Sequence, residues 1–225
     1  MNWVSRVRAA LTTVGDPARA VPMAAYMKGI APFLGVPAPV RRAAVRPLGQ
    51  PPLDELSAIV RELWRQPERE FAYVAVDWLE RATRKGPATL LPLVLELVRS
   101  RSWWDTVDGL SACVANLVAA HPDLAGEMDR WVVDPDFWVA RVAILHQLGR
   151  GPETDEARLW RVCLTRAHES EFFIRKAIGW ALRDYAWRNP DAVERFVSEH
   201  RTELSALTIR EATKNLEKAR AAPLR

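Results

Sequence analysis

Apolar residues recur three and four positions apart along nearly the whole chain, and no stretch of strict alternation suggests a strand. This period predicts helices over 3–14, 16–28, 53–65, 68–84, 87–99, 103–120, 123–133, 135–149, 153–168, 170–187, 190–203 and 205–220. Proline, glycine and aspartate punctuate the joints, as in Asp16-Pro17, Lys85-Gly86-Pro87, His121-Pro122-Asp123 and Asn189-Pro190-Asp191. Connections this short force neighbouring helices antiparallel. The proline-rich stretch from Pro32 to Pro52, with Arg41, Arg42 and Arg46 around a short helical turn, reads as a basic, semi-rigid connector inside a single domain covering 1–225.

A weak repeat runs through the pattern. Helices led by an aromatic residue start at Phe71, Trp103, Phe137 and Phe172, 32 to 35 residues apart. Two helices per unit at that period imply an all-α fold, an α-solenoid of HEAT-like antiparallel helical pairs. Such a stack has a concave face built from one helix of each unit, and the aromatic-led helices are the natural candidates for it.

Three units carry residues that core packing does not explain. In the helix expected from 103, capped by Ser102 with Asp105 three residues on, Trp103, Val107, Leu110, Val114, Leu117 and Val118 form the core arc. Trp104 and Asp108, four apart, share its shoulder beside the small residues Ser111 and Ala115. Taken singly, they read as a packing indole and a solvated carboxylate. Arg141 falls in the middle of the apolar arc of Phe137, Ile144, Leu145 and Leu148, where a guanidinium needs either a carboxylate partner or a ligand phosphate. In 170–187 the core face is Ile174, Ile178, Ala181, Leu182 and Tyr185. A second face mixes Phe173, Trp180 and Trp187 with Lys176 and Arg183. That face suits sugars, bases and phosphates, or else it is buried on both sides with snorkelling cations.

Charge shifts the balance slightly. A net charge of +4 and a pI near 9.4, with arginine far ahead of lysine, lean toward a polyanionic partner. No apolar run is long enough to span a bilayer, and Met1–Arg6 lacks the apolar core of a secretory signal, so a cytoplasmic protein without a membrane partner is expected. Cys113 and Cys163 sit in apolar helical patterns and read as buried free thiols. His121, His146, His168 and His200 are far apart and lack partners at ligand spacing, so neither a metal nor a cofactor is expected.

Several strings together resemble the AlkD family of alkylpurine DNA glycosylases. They are Ala25-Tyr26-Met27-Lys28, Phe33-Leu34-Gly35-Val36, Ser102-Trp103-Trp104-Asp105-Thr106-Val107-Asp108, Arg141 to Leu148 and Phe172 to Trp180. They occur in order over nearly the whole chain, and the WWDTVD string is the most specific. The resemblance implies a solenoid that holds double-stranded DNA in a basic concave channel. It implies excision of cationic N3- and N7-alkylated purines without flipping the base into a pocket. By the same resemblance Asp108 matches the catalytic aspartate, Trp104 and Trp180 two lesion-contacting tryptophans, Tyr26 a contacting tyrosine and Arg141 an arginine that grips the DNA backbone. Lys28, Arg41, Arg42, Lys176, Arg183 and Trp187 are the remaining candidates for DNA contact, in a protein expected to act as a monomer.

The residues suit that chemistry. An alkylated purine is already cationic and leaves readily, so what remains is to stabilise the positive charge growing on the deoxyribose. Asp108 supplies a negative charge and orients water, and the indoles offer π faces. No lysine stands beside Asp108 in sequence, so a monofunctional enzyme leaving an abasic site is expected. The competing reading is a non-catalytic HEAT-like module that binds DNA or a protein on its concave face.

Overall fold

The computed structural model describes residues 2–222. Among them there are fourteen α-helices, four short 3-10 turns and no strand. Contacts divide the chain into two compact units, with the boundary between Leu93 and Val94.

The N-terminal unit contains α1 (Trp3–Thr13), α2 (Pro17–Tyr26), α3 (Ala38–Val45), α4 (Leu53–Trp64) and α5 (Arg69–Thr83). Helix α1 starts where the Asn2 side chain accepts the Ser5 N–H, and it buries Val4, Val7 and Leu11, one residue per turn. Helix α2 is capped by Asp16 with Pro17 in its first turn, and none of its residues is buried. It ends in two left-handed residues, Lys28 (φ 60) and Gly29 (φ 70). The segment beyond it is pinned from below. The fully buried Glu70 carboxylate at the start of α5 accepts the backbone N–H groups of Leu34, Gly35 and Val36 at 2.9–3.1 Å. Gly35 is obligatory there: its φ is +81°, and a Cβ would lie 2.0 Å from the Asp16 carbonyl. Helices α4 and α5 pack together, and the Trp3 ring stands edge-on to Trp78 at 5.6 Å.

One expectation for this unit is corrected. The stretch expected to be a connector contains α3, an eight-residue helix packed on α1 and α5, which buries Val45 and Arg41. The prolines of α3 stand at the helix start, not in its interior. Pro37 and Pro39 are compatible with a helix start, where the missing N–H has no intrahelical partner anyway.

Helix α6 (Leu91–Val98) straddles the boundary. The C-terminal unit continues with α7 (Trp104–Ala120), α8 (Ala125–Trp131), α9 (Phe137–Leu145), α10 (Glu156–Thr165), α11 (Phe172–Tyr185), α12 (Pro190–Glu199), α13 (Ala206–Thr213) and α14 (Leu216–Ala221). Helices α7, α9, α11 and α13 pack successively in one row, and α8, α10 and α12 back them as the second members of helical pairs, as in a HEAT-like array. Side-chain caps recur at the starts: Asp136 for α9, Asp155 for α10, Glu171 for α11, Asn189 for α12 and Ser205 for α13. The single helix expected over 205–220 is two, broken around Lys214-Asn215 so that Leu216 and Ala219 turn inward and α14 packs on α12.

Candidate active site

Helix α7 begins one residue later than the capping pattern suggested. Trp103 is its extended N-cap (φ −156°, ψ 159°) and makes no side-chain cap bond. Ser102 does not cap it: its hydroxyl instead donates to the Val98 carbonyl at the end of α6. From there the helix follows the expected register. Val107, Leu110, Val114, Leu117 and Val118 are buried, while Trp104 and Asp108 are half-buried one turn apart.

Asp108 is the best-defined group of the site. Arg141 on α9 donates to it through both arms of its fork, Nε to Oδ1 at 2.8 Å and Nη2 to Oδ2 at 3.0 Å. The third nitrogen, Nη1, donates to the Phe173 carbonyl on α11 at 2.5 Å. One guanidinium thus ties three successive helices, α7, α9 and α11. The Arg141 side chain is 1% exposed and that of Asp108 28%. A carboxylate has about four lone-pair directions, and Arg141 uses only two of them, so the open side of Asp108 can still accept. Burial pushes the Asp108 carboxyl above its ordinary value, with Asp105 one turn away adding to the rise, while the hydrogen bonds and charge of Arg141 oppose it.

Arg141 also reaches Trp180 of α11, its guanidinium carbon 5.3 Å from the ring centroid. Lys176 and Arg183 lie 5.2 and 6.0 Å from the same ring. Both are held by Glu211 of α13, at 2.9 Å for Lys176 and 2.7 Å for Arg183. These cations pull the Glu211 carboxyl below its ordinary range, the Lys176 hydrogen bond most of all. Trp180, Trp187, Leu148, Arg183 and Asp184 line an open cleft of about 220 Å³. At the helix starts, Trp103, Trp138 and Phe173 form a ring cluster with centroids 4.8–6.0 Å apart. Trp138 and Phe173 each follow directly on the aromatic residue, Phe137 or Phe172, that leads its helix.

The geometry therefore joins Asp108, Arg141 and Trp180 through direct contacts, with Trp104 on the Asp108 side of α7. Arg141 differs from a solvent-facing phosphate grip, because its whole fork is used inside the protein. Of the two alternatives its sequence position allowed, a carboxylate partner or a ligand phosphate, the carboxylate is present. Lys176 and Arg183 are likewise paired with Glu211. In the N-terminal unit Arg41 is buried, bonded to Asp77 at 3.0 Å and lying 4.9 Å over the Tyr73 ring. Tyr26 and Lys28 are exposed. Arg42 is exposed too, 3.7 Å from Asp77, and lines a cleft of about 390 Å³ with Arg46, Arg81 and Arg84.

A model of the DNA alkylation repair enzyme family matches residues 7–216. The chain belongs to that family. A solved structure described as a predicted DNA alkylation repair enzyme from Enterococcus faecalis is similar to it. The two share 32% identity and a TM-score of 0.82, with 91% of this chain and 97% of that one covered. No protein of curated function matches.

For a DNA alkylation repair enzyme, the residues that sequence reasoning missed are as telling as those it found. Glu211 sits in an ordinary-looking amphipathic helix. Its one signal is distance, since it lies about one repeat beyond Lys176, as Arg141 lies 33 residues beyond Asp108 and Asp77 36 beyond Arg41. Arg81 and Arg84, which line the cleft beside Arg42 and Arg46, give no sequence signal beyond their charge. Among the described residues no cluster of His, Cys, Asp or Glu could hold a metal ion, and no helix is long and apolar enough to cross a membrane.

Proposed function

We propose that this protein is a monofunctional DNA glycosylase that hydrolyses the N-glycosidic bond of cationic N3- and N7-alkylated purines in double-stranded DNA. The observation that carries the reading is the Asp108 carboxylate, fixed by a two-armed bond from a buried arginine and open on its other side, within a DNA alkylation repair family. In the proposed reaction the bond from the deoxyribose C1′ to purine N9 breaks, and its electron pair neutralises the alkylated base. The positive charge left on C1′ and the ring oxygen is stabilised by Asp108. Water, oriented by the same carboxylate, then adds to C1′ and loses a proton, leaving an abasic site.

Trp104 and Trp180 contact the lesion deoxyribose in this scheme, and Tyr26 is a further DNA-contacting residue. The phosphate grip falls to the exposed cations Lys28 and Arg42, with Trp187 bordering the cleft beside Trp180. Arg141 acts on the DNA chiefly through Asp108, because it is buried and each of its three nitrogens already bonds within the protein. The proposal includes a concave DNA-holding face and attack on a base left in the helix.

The test is incubation with a duplex carrying 7-methylguanine or 3-methyladenine, with chromatographic detection of the free base. Release supports the glycosylase. Salt-dependent DNA binding without release would instead make the protein a non-catalytic binding module.

A further inference from the structure

The Trp180 indole poses an electrostatic problem. A ring meant to stabilise a developing cation already has three cations within 6.0 Å of its centroid. Cations crowded on a π face repel a fourth. Arg141 is neutralised by Asp108, which leaves Lys176 and Arg183. Both are answered by one carboxylate, Glu211, whose side chain is only 12% exposed. The fold holds that carboxylate close. Gly179, next to Trp180 on α11, lets α13 approach until a Cβ at 179 would lie 2.5 Å from the Glu211 Cβ. The Thr208 hydroxyl of α13 also donates to the Arg175 carbonyl of α11 at 3.2 Å, fixing the register of the two helices.

We infer that Glu211 is a positioning residue for Trp180: it clamps Lys176 and Arg183 beside the indole and keeps both cations off the DNA backbone. The clamp has two consequences. The ring is braced from α13 in one orientation, and the local charge beside it is held down so that positive charge growing on a sugar is not repelled. The protein therefore gives up phosphate affinity for rate. This inference rests on the glycosylase reading in assuming that Trp180 faces the DNA.

Two variants and two readouts test it. Wild-type protein is first shown to bind undamaged duplex and to release 7-methylguanine; failure at that point counts against the glycosylase reading itself. Binding to undamaged duplex is then followed against salt. Glu211→Gln frees both cations. It is expected to bind undamaged DNA more tightly, with a log–log salt slope steeper by about two phosphate contacts at roughly 0.9 each. Its single-turnover base release at saturating enzyme is expected to fall by about tenfold, equivalent to about 1.4 kcal/mol of barrier. Glu211→Asp, one methylene shorter, reaches only one cation, so its slope should steepen by about one contact, with a smaller loss of rate. A residue that merely supports the fold would weaken binding and rate together and leave the slope alone. Either variant, folded and showing the wild-type slope, overturns the inference. If Glu211→Gln does not fold, Glu211→Asp decides the question alone.

Discussion

The Asp108 carboxylate is held by both arms of the Arg141 guanidinium, at 2.8 and 3.0 Å, across one full helical repeat. The pair is asymmetric, since the arginine is buried and the aspartate keeps an open side. It therefore works as a fixed carboxylate aimed at solvent, with the costly burial placed on the side whose three nitrogens each have a partner.

Removing the guanidinium should cost stability. Arg141→Met leaves Asp108 and the Phe173 carbonyl without their shared donor and unties three helices. Breaking a buried ion pair costs about 3–5 kcal/mol, and because Asp108 can take up water on its open side, we expect a loss near about 3 kcal/mol. Urea unfolding of the two proteins measures it. A loss under about 1 kcal/mol, the range of an exposed pair, would mean that the contact holds little together.

The approach of α13 to α11 should depend on Gly179. An alanine there gains about 1 kcal/mol of helix propensity, but its methyl must displace the Glu211 Cβ and crowd the Thr208 carbonyl, which lies 3.1 Å from the Cβ position. Overpacking of this kind costs about 1–3 kcal/mol, so Gly179→Ala is expected to lower the melting temperature. A higher melting temperature would show that the two helices separate freely.

Acid should destabilise the protein through His146. This histidine is buried, and burial lowers its pKa from 6.5 to about 4, although the 2.7 Å contact of its Nδ1 with the Ala143 carbonyl works the other way. The folded state thus binds the proton less well than the unfolded chain. The resulting stability is present in full above pH 6.5 and is lost as pH falls toward about 4. At 1.36 kcal/mol per pKa unit the whole effect is about 3 kcal/mol. Unfolding free energies at several pH values, for wild type and His146→Gln, should differ in slope within that window. Parallel curves would remove His146 as the cause.

Much of this arrangement was legible in the chain. The 3.6-residue period gave the helices and the buried face of α7, and the spacing of Trp103, Phe137 and Phe172 marked helix starts to within one residue, whereas the rings that meet across units are those of Trp103, Trp138 and Phe173, two of them one position further on. Asp108 and Trp104 were visible as residues that the core did not need. Two kinds of feature were not. Ser102 has the right chemistry for a cap, but its hydroxyl found a nearer carbonyl, and local competition of that kind is invisible in a pattern. The partners of Arg41, Lys176 and Arg183 are set by contacts between units, so cations that look free along the sequence are neutralised in three dimensions.

The rate of base release by Asp108→Asn, measured in single turnover on a duplex with one 7-methylguanine, tests the role of the Asp108 charge most directly. The amide keeps the shape of the side chain and removes its charge. Loss of a group that stabilises charge in the transition state costs about 10²–10³ in rate, and we predict a fall of at least about a hundredfold with DNA binding retained. A folded Asp108→Asn protein that releases the base at the wild-type rate would contradict the account.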